Sequence, residues 1–244
     1  MSTLGEFYGI GVGPGEPQLI PVIAWNILHQ CDLIYVPRAK TMTHSVARMC
    51  VAGHTIPDER WREIEFQMET DRTILSDHYR DLAIQIASEV RQGKKVAYLT
   101  IGDPLTYSTY GYTLASLKDQ LPNLRYRTIP GVTSFAALAA ETDWPLGEGR
   151  ERILILPCPD TADDLKKEIE THDVVVLMKI ADRLPMVLDL LNEMKIAEYC
   201  AFGKRVGQTD AIVHRQSTAL QPKKESGYLA TMLIRKKRIE RRHS

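Results

Sequence analysis

The feature that most constrains this chain is an order repeated through its first half: a short apolar run, a turn, and a longer segment of helical period. The strands predicted in this half are residues 7–12, 32–36, 95–101 and 124–129. Between them a helix is predicted to begin at Pro17, and another carries Leu82, Ile86 and Val90 on one stripe before Gly93 stops it. Such alternation is typical of a parallel sheet with helical crossovers, so we predict an α/β domain.

A second series of strands and helices follows a break in the pattern. Residues 145–152 combine proline, two glycines and alternating charges, a composition typical of a hinge between domains. The strands predicted beyond it are residues 153–156, 174–179, 199–205 and 228–235, with helices around residues 165–169 and 186–194. We therefore predict two α/β domains, residues 1–145 and residues 146–244.

The composition excludes several classes of protein. Hydrophobic residues make up 44% and charged residues 25% of the 244, which is typical of a globular protein. The 31 basic and 31 acidic residues balance, so the net charge favours neither nucleic acid nor a membrane surface. Neither a signal peptide nor a run of roughly 18 apolar residues is present, and we expect a cytoplasmic protein.

Cysteines and histidines show no spacing that indicates a disulfide framework or a metal site. The four cysteines are Cys31, Cys50, Cys158 and Cys200. Each has apolar neighbours, and a buried, reduced thiol is the simplest interpretation. We predict no metal site.

Residues 9–17 form a glycine-rich turn after the first predicted strand. Glycine lets a backbone approach a ligand closely, and a helix N-terminus attracts negative charge. The dinucleotide pattern G-x-G-x-x-G fails here, because Pro14 and Glu16 occupy the positions of its last glycine. An NADP-dependent oxidoreductase stays open as an alternative, since Arg38 and Lys40 could hold a 2′-phosphate.

Three further turns follow predicted strands. Residues 100–110 include Asp103 before a proline, which is a good helix start, and then a dense run of Thr, Tyr and Ser that needs partners. Residues 130–140 form a turn before small helical residues, and the strand at residues 174–180 reaches a charge just after Met178. Open α/β sheets bind ligands at the carboxyl ends of their strands, where these turns lie.

Together, the four turns resemble the tetrapyrrole methylase family, whose members use S-adenosylmethionine. The segments that look like its motifs are residues 11–17, 102–104, 130–134 and 178–179. Residues 107–109 and 130–135 look most like the C(20)-methyltransferases of precorrin-2 and cobalt-factor II within that family. Uroporphyrinogen III methyltransferases, diphthine synthases and ribosomal RNA methylases of the same fold are the near alternatives.

The resemblance implies a homodimer, two α/β domains with the active-site cleft between them, and methyl transfer to C(20) of precorrin-2 or cobalt-factor II in cobalamin biosynthesis. Carried over by position, the residues binding S-adenosylmethionine would be Pro14, Gly102, Asp103, Thr106, Thr133, Ser134, Met178 and Gly207. The nucleophile is a carbon of the macrocycle, so the protein needs none of its own. A base must remove the C(20) proton, and Asp103 and Tyr107 are the candidates.

The implied substrate is rimmed with carboxylates, so local cations must hold it. The candidates are Arg38, Lys40, Arg150 and Arg152, and an arginine can hold a carboxylate through two parallel hydrogen bonds. The basic tail at residues 235–242 leaves a nucleic-acid binder open as an alternative. A solvated terminus is the simpler interpretation, and we predict no nucleic-acid partner.

Overall fold

The computed structural model describes residues 4–40, 43–51, 56–66, 72–220 and 227–237. Contacts divide the chain into two compact units, Met1–Thr133 and Ser134–Ser244, and each contains one five-stranded sheet. The division falls before the helix Ser134–Glu141 rather than within residues 145–152, because that helix packs on strands of the second sheet. Two α/β domains are therefore observed, with this helix in the second.

The first unit contains an entirely parallel sheet. Its strands are β1 (Glu6–Gly11), β2 (Leu33–Ala39), β3 (Trp61–Phe66), β4 (Lys95–Thr100) and β5 (Tyr126–Ile129), in the order β3-β2-β4-β1-β5. The parallel sheet predicted from the sequence is confirmed. The sequence missed β3, since Arg62, Glu63 and Glu65 interrupt its apolar residues, as is common in a strand at the edge of a sheet.

Helices cover both faces of this sheet. They are α1 (Val22–Gln30), α2 (Val46–Cys50), α3 (Arg72–Arg91) and α4 (Tyr110–Gln120). Ala97 and Leu99 of β4 pack into the core on one face, and Val96 and Tyr98 into the core on the other. The helix predicted at Pro17 is only a 3-10 turn, and α1 begins at Val22.

The second unit is mixed. Its strands are β6 (Ile153–Pro157), β7 (Val174–Met178), β8 (Cys200–Lys204), β9 (Ile212–His214) and β10 (Ala230–Arg235), in the order β6-β7-β10-β8-β9. The first pair is parallel, and the other three pairs are antiparallel. Its helices are α5 (Ser134–Glu141), α6 (Ala162–Thr171) and α7 (Leu184–Glu193).

Residues 145–152, which were predicted as a hinge, are attached to the second sheet by Arg235 at the end of β10. Its guanidinium donates to a Glu151 carboxylate oxygen at 2.6 Å and to the Pro145 carbonyl at 2.8 Å, and it lies over the Trp144 ring. The hydrogen bond from Arg235 lowers the pKa of Glu151. Residues 145–152 are thus held at both ends to β10. Within the described residues, no helix is long and apolar enough to cross a membrane.

Candidate functional site

Three of the predicted turns meet at the carboxyl edge of the first sheet, because they follow the adjacent strands β4, β1 and β5. Two of them are joined through backbone alone. The Gly102 amide donates to the Gly13 carbonyl at 2.7 Å, and the Gly13 amide donates to the Gly102 carbonyl at 3.3 Å. Both glycines have positive φ, 76° at Gly13 and 69° at Gly102.

Contact between backbones explains why glycine stands at two further positions. A Cβ atom on Gly131 would lie 2.1 Å from the Gly102 carbonyl oxygen and 2.8 Å from the Gly11 carbonyl carbon. A Cβ atom on Gly11 would lie 2.5 Å from the same oxygen. No side chain fits at these distances, so the three turns form one glycine cradle, defined by Gly11, Gly13, Gly102 and Gly131.

Gly9 belongs to the packing rather than to this cradle. A Cβ atom there would lie 2.1 Å from ring carbons of Tyr110, whose hydroxyl shares a hydrogen bond with Thr128 at 2.7 Å. The first glycine of the sequence motif therefore makes room for an aromatic ring that anchors α4.

Asp103 links the second turn to the third. Its Oδ1 accepts from the Leu105 amide at 2.9 Å and from the Thr106 hydroxyl at 3.1 Å, and its Oδ2 accepts from the Gly131 amide at 3.2 Å. The interpretation of Asp103 as a helix start is wrong, because α4 begins only at Tyr110. Both carboxylate oxygens hold loop backbone instead.

The dense polar run after Asp103 finds its partners within the first unit. The Ser108 hydroxyl donates to the Pro104 carbonyl and accepts from the Tyr110 amide at 3.1 Å. The Thr109 hydroxyl shares a hydrogen bond with the Tyr98 hydroxyl at 2.8 Å. Burial raises the pKa of Tyr98 to about 12, so this phenol remains protonated at neutral pH. These contacts stabilise the loop before α4, so the polar side chains here hold a loop rather than form part of a helix.

Two observations indicate that the cradle can accept a ligand. A Cβ atom on Gly102 would point into open space, with its nearest neighbour, the Val132 carbonyl oxygen, 3.9 Å away. At the end of β4, Thr100 is 3% exposed and its hydroxyl lacks a hydrogen-bond partner among the described residues. A buried hydroxyl normally has a partner, so a bound molecule or an ordered water fits here.

The remaining predicted cofactor residues, apart from Thr133 at the end of the first unit, lie in the second. Met178 ends β7 and Gly207 follows β8, and these strands run in the same direction because β10 is antiparallel to both. The Ser134 hydroxyl, at the start of α5, shares a hydrogen bond with Thr231 of β10 at 2.9 Å. The structure therefore brings Ser134, Met178 and Gly207 to one edge of the second sheet.

The backbone at that edge is unusual, and no local pattern of residues predicted it. Lys179, Ala181, Arg205 and Leu229 have φ between 50° and 52°, a conformation that non-glycine residues rarely adopt. Lys179 and Ala181 follow β7, Arg205 follows β8, and Leu229 precedes β10. We call these four residues the strained rim. Local strain of this kind is concentrated at functional sites.

The four predicted substrate cations differ in their partners and exposure within each unit. Arg38 at the end of β2 forms ion pairs with Glu63 at 3.2 Å and Glu65 at 2.9 Å, whereas Lys40 is exposed just beyond it. Arg152 precedes β6 and donates to the Thr171 carbonyl at 2.6 Å, at the opposite end of the second sheet from Met178.

Arg150 is exposed in the loop before β6. Over the described ranges, no group of three or more His, Cys, Asp or Glu side chains could hold a metal ion.

A parallel α/β unit with a glycine cradle at its carboxyl edge, followed by a mixed α/β unit, defines a two-domain α/β protein with open space for a ligand at that cradle. Residues 6–220 match the family model described as Tetrapyrrole (Corrin/Porphyrin) Methylases. The chain belongs to this family, which confirms the resemblance and the assignment to the methyltransferases. The dinucleotide alternative loses its support.

Two relatives specify the likeness further. A cobalt-precorrin-2 C(20)-methyltransferase of Salmonella typhimurium is 31% identical over 197 residues, 81% of each chain. A precorrin-2 C(20)-methyltransferase of Sinorhizobium sp. is 26% identical over 241 residues, 95% of each chain.

Solved structures show the same fold. A cobalt precorrin-4 methyltransferase has a TM-score of 0.68 at 19% identity, with 94% of each chain covered. A uroporphyrin-III C-methyl transferase from Thermus thermophilus, complexed with S-adenosyl homocysteine, has a TM-score of 0.62 at 17% identity, with 94% of this chain and 97% of that chain covered. The predicted two-domain fold of the family is confirmed.

Proposed function

We propose that this protein transfers a methyl group from S-adenosylmethionine to C(20) of precorrin-2 or of cobalt-factor II in cobalamin biosynthesis. The observation that carries the proposal is the 31% identity, over 81% of both chains, to a relative named as a C(20)-methyltransferase. Relatives named as siroheme synthases are 24% identical and match 59% of this chain, so the uroporphyrinogen alternative is weaker.

The residues present fit S-adenosylmethionine at the glycine cradle. Gly102 leaves open space where a side chain would stand, and the Thr100 hydroxyl lacks a protein partner among the described residues. We assign Pro14, Gly102 and Thr106 to the cofactor in the first unit, with Asp103 holding the turn in place. The other assigned residues are Thr133, Ser134, Met178 and Gly207.

The cofactor, when bound, would supply a methyl group attached to a sulfonium sulfur, and S-adenosylhomocysteine would be the leaving group. The chain then has to hold the substrate in line with the methyl group and exclude other geometries. Such alignment of two reactants corresponds to effective molarities on the order of 10⁵ M. Both oxygens of Asp103 already accept hydrogen bonds, which favours a positioning role over removal of the C(20) proton.

For the carboxylates of the substrate we place Lys40 ahead of the three arginines. Arg38 is already neutralised by two glutamates, and Arg152 lies at the amino end of β6. Lys40 is exposed at the carboxyl edge of the first sheet, the edge that bears the cradle. Replacing Lys40 with Ala should raise the KM for the tetrapyrrole, and replacing Arg152 should not.

We also propose a cytoplasmic homodimer without a nucleic-acid partner, on the resemblance and the composition. The basic tail supports no nucleic-acid site in its described part, because Arg235 pairs with Glu151 and Lys236 donates to the Glu170 carbonyl. Residues 238–242 of that tail lie outside the described residues. Light scattering of the purified protein tests the dimer.

The decisive experiment supplies both tetrapyrroles with methyl-labelled S-adenosylmethionine, under anaerobic conditions, and locates the new methyl by NMR. We expect one methyl group at C(20) of one substrate. A methyl at another ring carbon would assign the protein to another branch of the family. Binding of NADPH in place of S-adenosylhomocysteine would overturn the proposal altogether.

A further inference from the structure

The loop after the cradle presents two large apolar side chains to solvent. Leu105 is 68% exposed and Tyr107 is 41% exposed, on either side of the partly buried Thr106. Exposed leucines occur singly on most proteins, but here an aromatic ring and a leucine stand together beside a predicted cofactor site. This pair therefore needs an explanation that scattered surface residues do not.

The loop that carries the pair is fixed on both sides of Tyr107. Before it, the Leu105 amide and the Thr106 hydroxyl donate to Asp103, which also accepts from the Gly131 amide of the cradle. After it, Ser108 bonds to the Pro104 carbonyl and to the Tyr110 amide. The two side chains are thus held on a rigid support that is joined directly to the cradle.

The backbone of Tyr107 is strained, with a φ of 53°. Glycine adopts this conformation freely, whereas an aromatic residue there is a genuine outlier. The chain holds an aromatic ring at a position where the backbone favours glycine. Strain that the surrounding structure maintains in this way is characteristic of ligand sites.

We propose that Leu105 and Tyr107 form a platform on which one face of the tetrapyrrole macrocycle lies, with the tyrosine ring as its main contact. This inference rests on the proposed function. The macrocycle has broad apolar faces and a rim of carboxylates, so it buries apolar surface against a ring and a leucine while its rim stays polar. Tyr107 is then a positioning residue that acts through its ring, and its hydroxyl is not the base.

Two substitutions at one position separate the ring from the hydroxyl. Tyr107→Gly removes the ring and relieves the positive φ, so its melting temperature should equal or exceed that of the wild type. Its KM for the tetrapyrrole should rise about tenfold or more, as the loss of an aromatic stack does elsewhere, while the affinity for S-adenosylhomocysteine stays unchanged. Tyr107→Phe keeps the ring, and its KM and pH profile should return close to those of the wild type.

A matched control is Tyr126→Ala, since Tyr126 is 44% exposed on β5 and contacts Lys118 rather than the cradle loop. Its KM for the tetrapyrrole should be unchanged. A Tyr107→Phe variant as impaired as Tyr107→Gly would overturn the inference, because the hydroxyl would then carry the role. A normal KM in Tyr107→Gly would overturn it as well.

These outcomes are distinguishable from a failure of the proposed function. If the wild-type protein methylates neither tetrapyrrole, the proposed function fails, and the platform proposal fails with it. If the wild type is active and Tyr107→Gly is unaffected, only the platform is lost. A smaller rise in KM for Leu105→Ala than for Tyr107→Gly is expected, because the leucine contributes less contact area.

Discussion

The two units bend their chains at the ends of their strands by different means. In the first, the tightest approaches are made by glycines, and the backbones at Gly11, Gly102 and Gly131 lie so close that a Cβ atom would overlap them. In the second, the strained rim of Lys179, Ala181, Arg205 and Leu229 adopts positive φ while keeping its side chains. The closest loop contacts of the first unit are thus made by glycines, whereas the second unit holds four side chains in a strained conformation at the ends of its strands.

The difference teaches which constraint acts at each place. At Gly11 and Gly131 the constraint is distance, because a Cβ atom on either residue would lie within 2.5 Å of the Gly102 carbonyl oxygen. At the four residues of the strained rim the constraint is conformation, which a non-glycine residue tolerates at a cost of roughly 1–2 kcal/mol per residue. Substitutions that add or remove a Cβ atom should therefore act in opposite directions in the two units.

The largest effect is expected for Gly131→Ala. Its Cβ atom would lie 2.1 Å from the Gly102 carbonyl oxygen, so the loops must separate, and the free energy of unfolding should fall by about 3 kcal/mol or more. Denaturant unfolding measures this. Gly111→Ala is the control, since a Cβ atom on Gly111 in α4 meets nothing within 4 Å and should stabilise by about 0.5–1 kcal/mol. Equal stability of the two variants would break the comparison.

Gly102→Val should affect binding more than folding. The new side chain would enter the open space that we assign to S-adenosylmethionine, and the affinity for S-adenosylhomocysteine should fall at least about tenfold, or about 1.4 kcal/mol. Isothermal titration measures the affinity. Gly149→Val is matched to it, with positive φ and open space but outside the cradle, and it should carry similar strain with normal binding. A loss of affinity in both variants would remove Gly102 from the site.

Asp103→Asn tests whether the Asp103 carboxylate holds the loops of the cradle together. An Asn can cap a helix, so a purely capping role for Asp103 would leave stability unchanged. The structure predicts a loss of about 1–3 kcal/mol, because the amide nitrogen of Asn cannot accept from the amides or the hydroxyl that Asp103 binds. Thermal unfolding decides between these. Asp143→Asn, in a surface ion pair with Arg215, provides a control that should change little.

The smallest effect is expected for Ala181→Gly. It removes one methyl group and the strain of a φ of 50°, so stability should rise by less than about 1 kcal/mol. Ala115→Gly, at an exposed position inside α4, should instead lose about 1 kcal/mol. Changes in stability of opposite sign for the two variants would support conformation as the constraint at the strained rim. A destabilised Ala181→Gly variant would show that its side chain is needed for contacts there.

The local sequence pattern predicted most strands and helices correctly, and each failure has a physical cause. Apolar runs predicted β1, β2 and β4, because buried strands in a parallel sheet are continuously hydrophobic, whereas β5 contains Arg127 and is mostly exposed. The same rule missed β3 at an edge, and it missed β9, whose three residues are too few to form a pattern. The start of α1 shifted from Pro17 to Val22, because Pro21 lacks the amide hydrogen needed to continue a helix from Pro17.

By itself, then, the sequence determined the class of fold, the location of the turns and the family, since these depend on short-range periodicity and on motifs of adjacent residues. Only the tertiary structure decided what the residues in those turns do. Gly9 receives the Tyr110 ring, Asp103 accepts from Gly131, and Arg38 is neutralised by Glu63 and a second glutamate. Each of these roles depends on a partner at least 25 residues away, which strand pairing brings into contact and which no local pattern reveals.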